Sequence, residues 1–150
     1  MKKENISILI DLCQEAGRLQ SFLPALPAGL SPRDIRVAER VAVLTEKQGK
    51  VRVCDISEML EVTRPGITMA LSNLEAHGYV EKSKSNEDGR TVLVRLTEAG
   101  EELVRRWVTE MHADMAENEL AAFSDEEVLQ AARLEHRAVQ LTREFTARHS

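Results

Sequence analysis

The feature of this sequence that most restricts its fold is a change in the spacing of apolar residues at Tyr79. Before Tyr79, apolar residues recur at intervals of three and four, which places them on one side of a helix: Ile67, Ala70, Leu71 and Leu74. From Tyr79 onward, apolar and polar residues alternate, as in a half-buried strand. A turn signal, Asp88 followed by Gly89, separates two such runs. The sequence therefore predicts a helix that leads directly into a β-hairpin.

Capping signals predict a second short helix just before this one. Thr63 is a suitable N-cap for the helix that ends at His77. Upstream, Asp55 with Glu58 at the reciprocal capping position predicts a helix that ends near Leu60. Two short helices joined by a brief turn are typical of a helix-turn-helix motif.

Helical patterns also flank this central region on its N-terminal side. Apolar residues at helical spacing predict an amphipathic helix over residues 5–22. Ser31 and Asp34 form a capping-box-like start, with Pro32 at the first helical position, for a helix that continues to about Lys47. Two helices are thus expected before the helix-turn-helix.

Two further helices are predicted after the hairpin. Thr97 caps the first, whose apolar residues fall four positions apart: Leu103, Trp107, Met111 and Met115. Ser124 and Glu127 form a capping box for the last helix, whose apolar residues recur at spacings of three and four: Ala131, Leu134, Ala138, Leu141 and Phe145. The expected fold class is therefore mainly α (α+β), with one hairpin inside a helical chain.

The net charge of −5 hides an uneven distribution of charge along the chain. Residues 33–97 carry 11 basic and 10 acidic side chains, whereas residues 98–150 carry 6 basic and 12 acidic ones. The acidity is concentrated in the C-terminal segment, which leaves the middle of the chain able to meet an anion.

Several classes of protein are excluded by missing signals. Cys13 and Cys54 lie far apart and form no CxxC pair, so neither a disulfide framework nor a paired-cysteine metal site is expected. No apolar run of about 18 residues and no secretory leader is present, so we expect a cytoplasmic protein without a membrane span. G-x-S-x-G, P-loop, HExxH and G-x-G-x-x-G motifs are absent, so we expect no enzyme, catalytic residue or cofactor.

The polar side of the helix from Thr63 to His77 carries small, mostly uncharged residues: Pro65, Thr68, Met69, Ser72 and Ala76. A solvated helix face would more often carry Lys and Glu, whereas a slim face with hydroxyl groups can enter the major groove of DNA. Arg64 at the start of the helix can contact phosphate or guanine. We therefore predict DNA contacts from this helix, by Thr63, Arg64, Pro65, Gly66, Thr68, Met69, Ser72 and Asn73. The alternative is a small-residue surface that packs on another helix.

The charged tip of the hairpin is a second candidate for DNA contact. Arg90, just past the turn, can reach a narrow minor groove, and Asp88 can hold its guanidinium in a fixed orientation. Lys82, Lys84 and Arg95 on the two strands are available for flanking phosphates. The alternative for Asp88 and Arg90 is a surface ion pair with no function.

This series of motifs resembles the winged helix-turn-helix of the MarR family of bacterial transcription regulators, and the matching stretch reads DISEMLEVTRPGITMALSNLEAHGYVEKSKSNEDGRTVLVRLTEAGEELV. The similarity lies in the N-LE-x-x-GYV exit from the second helix, the D-x-R wing and the LT-x-x-G that follows. The resemblance implies a winged helix-turn-helix with a two-stranded β-wing, with dimerisation helices at both ends of the chain. It also implies a homodimer on a palindromic duplex, and often a small effector.

The same resemblance divides the 150 residues of one protomer into a DNA-binding region, 31–97, and a helical dimerisation region, 1–30 with 98–150. The apolar stripes of the first and last helices support this division, because an elongated protomer has few places to bury them. The residues expected in the dimer interface are Ile6, Leu9, Leu134, Ala138, Leu141 and Phe145. The alternative is that the stripes pack within one chain.

We expect the protein to act as a repressor. The sequence leaves open how its activity is controlled. Cys13 corresponds in location to the reactive cysteine of oxidant-sensing relatives, which keeps redox control open. The helix-turn-helix also resembles that of metal-dependent repressors, but only His112 with Asp114 and Glu117 offers ligands, so no metal site is assigned. A lipophilic effector would have weak candidate contacts in Trp107, Met111 and Phe123. A winged-helix protein-interaction module without DNA binding is the remaining alternative.

Overall fold

The computed structural model describes residues 7, 8, 10, 11, 14, 15, 18, 25–85, 91–118 and 121–149. The chain divides into two compact units. One is formed by Ala25–Asp114, and the other by Met1–Pro24 together with Met115–Ser150. Among the described residues, no helix is both long enough and apolar enough to span a membrane.

Some of the residues predicted to have a function lie outside the described part of the chain. They are Ile6, Leu9 and Cys13 in the N-terminal segment, Asp88 and Arg90 at the tip of the hairpin, and the side chain of Phe145. The described residues between 7 and 18 are helical, in agreement with the helix predicted over residues 5–22.

Helix α1, Pro32–Gln48, begins at the capping box that the sequence predicted. Ser31 is the N-cap, and its backbone N–H and hydroxyl both donate to Oδ2 of Asp34, each at 2.7 Å. Pro32 at the start of the helix has the φ angle that a first turn needs and lacks an N–H that would remain unsatisfied. Apart from Asp34, the buried residues of α1 are apolar: Ile35, Val37, Ala38, Val41 and Leu44.

Helix α2, Val53–Leu60, begins earlier than the sequence indicated. Its N-cap is Arg52, whose backbone N–H donates to the carboxylate of Asp55 at 2.9 Å. The prediction that Asp55 caps this helix with Glu58 as its partner is therefore wrong, because Asp55 is itself the residue that reaches back to the cap. Arg52 Nη2 and Gln48 Nε2 also donate to this carboxylate, at 2.7 and 3.0 Å, and the bond from Arg52 lowers the pKa of Asp55.

Helix α3, Arg64–Ala76, and the strands β2, Val80–Lys84, and β3, Val92–Leu96, confirm the predicted helix and hairpin. The strands are antiparallel, with Val80 opposite Leu96. A short strand that the sequence did not predict, β1, Val51–Arg52, pairs with β3, so the sheet has the order β1-β3-β2 rather than two strands. Two residues are too few to show an alternating pattern, which is why β1 was missed.

The core of the unit lies between α1, the two helices of the helix-turn-helix and the sheet. Side chains from each of these elements are fully or almost fully buried, including Val41 of α1, Ile56 of α2, Ile67 of α3 and Val94 of β3. Leu103, from the helix after the hairpin, is buried in the same cluster. This shared core fixes the position of α3 relative to its neighbours.

The helix predicted after the hairpin consists of three consecutive segments: α4, Glu98–Val104, a π-helical segment, Arg105–Glu110, and α5, Met111–Glu117. Thr97 is its N-cap, as predicted, and the threonine hydroxyl accepts from Gly100 N at 3.1 Å. Helix α6, Asp125–His149, begins at the predicted capping box, with Ser124 N donating to Glu127 at 2.8 Å.

Gly100 lies where α4 crosses the main chain at the start of the hairpin. A Cβ at this position would be 2.0 Å from the carbonyl oxygen of Tyr79, which already accepts a hydrogen bond from Thr97 N at 3.1 Å. The contact is with backbone, so no side-chain rotation can relieve it. Only glycine permits this approach.

We predict that Gly100→Ala lowers the free energy of unfolding by about 3 kcal/mol, because the added methyl group forces α4 away from Tyr79. Urea unfolding followed by circular dichroism measures the change. The control is Glu101→Ala at the adjacent exposed position, expected to alter stability by less than about 0.5 kcal/mol. Equal stability of Gly100→Ala and the parent would contradict the packing of α4.

We predict that Asp55→Asn lowers the free energy of unfolding by about 1 kcal/mol near neutral pH, because the amide replaces the carboxylate that caps α2. The folded-state pKa of Asp55 is lowered, so its contribution is present above its unfolded pKa and is lost as pH falls through the folded value. The difference from the parent should therefore shrink below about pH 4. Glu58→Gln is the matched control, and an equal or larger loss for it would restore the original capping assignment.

Candidate nucleic-acid interface

Helix α3 has two faces of opposite character, as the sequence predicted. Its apolar face is buried in the core: Ile67, Ala70, Leu71 and Leu74. Its other face is exposed to solvent: Pro65, Thr68, Met69, Ser72 and Ala76. Met69 is 63% exposed despite its apolar side chain, so no part of the described protomer covers this face. These five residues are mostly small and none of them is charged.

The N-terminal end of α3 is open. Thr63 is its N-cap, but the threonine side chain makes no capping hydrogen bond, which leaves backbone N–H groups of the first turn available to an acceptor. Arg64 is exposed at the same end and forms no ion pair within the part of the chain that the structure describes. Gly66 is half-buried, and a Cβ there would contact Val62 at 3.2 Å.

Asn73 of α3 bonds to its own chain instead of facing outward. Its Nδ2 donates to the carbonyl oxygen of Gly29 at 2.9 Å and to Oδ2 of Asp34 at 3.1 Å. Both hydrogens of the Asn73 amide are thus used within the protomer, so Asn73 holds α3 against the start of α1. The sequence did not reveal this link, because Asn73 and Asp34 are 39 residues apart.

His77 strengthens the same link at the end of α3. Its Nδ1 lies 2.8 Å from the carbonyl oxygen of Asn73, and its ring lies so close to Gly29 that a Cβ there would be 2.5 Å from Nε2. Gly29 also has a φ of +85°, a conformation that L-amino acids with side chains rarely adopt. The turn before α1 is therefore shaped to receive the C-terminal end of α3.

Lys82 of β2 is directed toward α3. Its Nζ forms an ion pair with Glu75 at 2.9 Å and donates to Oγ of Ser72 at 3.1 Å, and its side chain is 21% exposed. The sequence suggested a phosphate contact for Lys82, but the structure shows its charge opposed by Glu75. Lys82 thus joins the hairpin to α3. Glu75, which sequence reasoning did not single out, is the partner that draws Lys82 inward.

The other strand residues predicted to contact phosphate differ in their surroundings. Arg95 lies opposite Glu81 in the sheet and forms an exposed ion pair with it at 2.5 Å. Such a pair is weak and can exchange for a phosphate contact. Lys84, at the end of β2, is exposed. The wing tip with Asp88 and Arg90 lies outside the described residues, so its contacts remain a prediction from sequence.

The described residues offer little for metal or redox chemistry. Among them, no group of three or more His, Cys, Asp or Glu side chains could hold a metal ion, and His112, Asp114 and Glu117 do not form one. Cys54 is a half-buried free thiol whose Sγ lies 3.7 Å from Asp55. Trp107 packs against the core, with Arg106 5.9 Å from its ring centre, whereas Phe123 is exposed.

The chain matches a protein family described as Transcriptional regulator SarA/Rot over residues 30–107. It is also similar to MdtR of Bacillus subtilis, an HTH-type transcriptional repressor. The two sequences are 27% identical over 122 aligned residues, which are 81% of this chain and 78% of MdtR. It is 36% identical over 66 residues to YfiV of the same organism, an uncharacterized HTH-type transcriptional regulator, covering 44% of this chain and only 41% of YfiV.

The fold is similar to that of a protein whose structure was solved in complex with DNA. FabT of Streptococcus pneumoniae, crystallised with DNA, superposes with a TM-score of 0.66 at 22% identity, covering 96% of this chain and 99% of that one. The predicted winged helix-turn-helix of the MarR type is thereby confirmed as the fold.

We predict that Asn73→Ala lowers the free energy of unfolding by about 1 to 3 kcal/mol, because it removes two hydrogen bonds and leaves Asp34 with fewer donors. Asn73→Asp should be more damaging at neutral pH, because it places a second carboxylate beside Asp34. Thermal unfolding of the two variants at pH 7 measures the difference. Asn73→Asp with the stability of the parent would show that the contact with Asp34 is absent in solution.

Proposed function

Because the chain belongs to the SarA/Rot family of transcriptional regulators, we propose that it binds double-stranded DNA as a homodimer and represses transcription by covering a promoter. The family is one of regulators, which confirms the prediction of a regulator rather than an enzyme. In the proposed complex, α3 of each protomer lies in the major groove and the β2–β3 wing reaches toward the neighbouring minor groove.

The observation that carries this proposal is the exposed face of α3. A helix that packed on another helix through these small residues would show them buried, yet Thr68, Met69 and Ser72 are all exposed. Hydroxyl groups and a flexible thioether suit the edges of bases and the methyl group of thymine. The face is backed by a rigid core and by the Asn73 link to α1, so the helix enters a groove as a preformed element.

Charge supports the same assignment. Arg64 lies at the open N-terminal end of α3, where exposed backbone N–H groups and the helix dipole both attract a phosphate group. Arg95 and Lys84 extend the basic surface along the hairpin. Acidic side chains are concentrated after residue 97, so the overall negative charge does not exclude binding through this face.

The homodimer is proposed from the apolar face of α6. Leu134 and Leu141, seven residues apart on one side of the helix, are 62% and 55% exposed in the protomer, and Ala131 and Ala138 share their side. Leaving such a stripe in water is unfavourable, and a second copy of the chain can cover it. Two protomers also supply the two recognition helices needed to discriminate a palindromic operator from the rest of a genome.

Control by a small molecule is part of the proposal only in general form. A ligand that binds the two states of such a dimer unequally would change its affinity for the operator. MdtR is a repressor by name, which supports repression as the direction of regulation. The cytoplasm is the compartment in which a regulator of this kind meets its operator.

We predict that Arg64→Ala weakens binding to duplex DNA and reduces the slope of log Kd against log salt by about 1, because one phosphate contact is lost. Electrophoretic mobility shift at several salt concentrations measures both quantities. Arg64→Lys is the matched control, because it keeps the charge and should keep the slope. Arg90→Ala tests the wing in the same way.

Two outcomes of this experiment would count against the proposal. If the parent protein shifts no genomic fragment at low salt, including the region beside its own gene, DNA binding is rejected and a protein-interaction module is favoured. If Arg64→Ala binds with the affinity and salt slope of the parent, the open end of α3 does not face phosphate.

We predict that Leu134→Glu converts the dimer to a monomer, because a carboxylate in the apolar stripe of α6 would be buried without a partner. Analytical ultracentrifugation measures the change, and DNA affinity should fall with it. Glu135→Ala, at the adjacent exposed position, is the control and should leave the dimer intact. A parent that sediments as a monomer at micromolar concentration would reject the dimer.

A further inference from the structure

Ser72 is held as a hydrogen-bond donor toward the outside of the molecule. Its hydroxyl oxygen accepts from Nζ of Lys82 at 3.1 Å, and an ammonium group can only donate. The hydroxyl proton must therefore point away from Lys82. Since Ser72 lies on the exposed face of α3, its proton is available to an acceptor on a ligand.

Lys82 is itself kept in place from the other side. Its ammonium group forms an ion pair with Glu75 at 2.9 Å, which opposes its approach to an external anion. Only 21% of the Lys82 side chain is exposed. Ser72 and Glu75 lie on neighbouring positions of one helix side, three residues apart, so Lys82 of β2 bridges both. The bridge fixes the orientation of the Ser72 hydroxyl.

Thr68, one turn earlier on the same face, has the opposite character. Its hydroxyl donates to the carbonyl oxygen of Arg64 at 2.9 Å, which uses its only proton. Because Thr68 is exposed, the lone pairs of its hydroxyl oxygen remain available to an outside donor. Thr68 thus presents an acceptor where Ser72 presents a donor.

We propose that Thr68 and Ser72 determine the operator sequence through this fixed polarity: Thr68 accepts from an exocyclic amino group of a base, while Ser72 donates to an acceptor on the DNA. The inference rests on the proposed function, namely that α3 enters the major groove. Phosphate groups carry no donor, so among the groups of the DNA only a base edge can donate to an acceptor on α3. In the major groove the available donors are N6 of adenine and N4 of cytosine.

The same geometry makes Lys82 a positioning residue instead of a phosphate contact. If Lys82 acts through Ser72, its loss should weaken binding only while Ser72 is present, and it should leave the salt slope unchanged. A direct phosphate contact would behave differently, because its removal lowers the slope by about 1 whatever stands at position 72.

The test begins with selection of bound sequences from a random duplex library by the parent, Thr68→Val and Thr68→Ser. Valine keeps the shape of threonine and removes its oxygen, whereas serine keeps the oxygen and removes the methyl group. At one base-pair position, we expect the parent to select adenine or cytosine on one strand. We expect the preference for that base over the others to be about tenfold lower in Thr68→Val. We expect Thr68→Ser to keep that preference.

The second arm is a double-mutant cycle of Lys82→Met and Ser72→Ala on the selected operator, with the salt slope recorded for each protein. We expect Lys82→Met to weaken binding in the parent and to have no further effect in Ser72→Ala. Thermal unfolding of each variant, with Glu81→Gln as an exposed control on β2, confirms that the hairpin is folded.

The outcomes separate this inference from the function on which it rests. A parent that enriches no sequence overturns the proposed DNA-binding function. A parent that enriches an operator, with a Thr68→Val variant that keeps every base preference, overturns the polarity of Thr68 alone. A Lys82→Met effect that persists in the Ser72→Ala background, or a lowered salt slope, overturns the positioning role of Lys82.

Discussion

The buried carboxylate of Asp34 is the polar interaction that joins the start of α1 to α3, in addition to the core that packs the two helices together. The side chain is 5% exposed, and such a charge is stable only when donors surround it. The backbone N–H and hydroxyl of Ser31 supply two hydrogen bonds, and the first turn of α1 adds a favourable dipole. Asn73 supplies the third donor from α3. The carboxylate that caps α1 therefore receives its third hydrogen bond only when α3 lies against it, which couples the capping of α1 to the placement of the helix proposed to read DNA.

Local patterns in the sequence predicted most of the elements, because their causes lie within a few residues of each other. The box formed by Ser31 and Asp34, the two faces of α3 and the alternation of the hairpin are of this kind. The cap of α2 was misplaced because an aspartate can either cap a helix or reach back to the cap from its first turn, and only the backbone of Arg52 decides which.

The candidate site was predictable as a surface but not as a set of contacts. Helical periodicity identified which residues of α3 face outward, since that depends only on the angle between successive residues. It could not show that Asn73 turns inward or that Lys82 is paired with Glu75, because these partners come from other elements of the fold. Charge alone suggests that a lysine on the strand next to α3 meets phosphate, whereas its neighbours in the structure are Glu75 and Ser72.

The contact between Gly100 and the main chain at Tyr79 has a consequence for the genetics of this protein. A clash between two side chains can be relieved when the second position mutates to something smaller, but a carbonyl oxygen is the same at every residue. A larger residue at position 100 thus has no second-site suppressor at position 79. Among sequences that keep this crossing of chain segments, position 100 is consequently a fixed reference point from which distant relatives can be aligned.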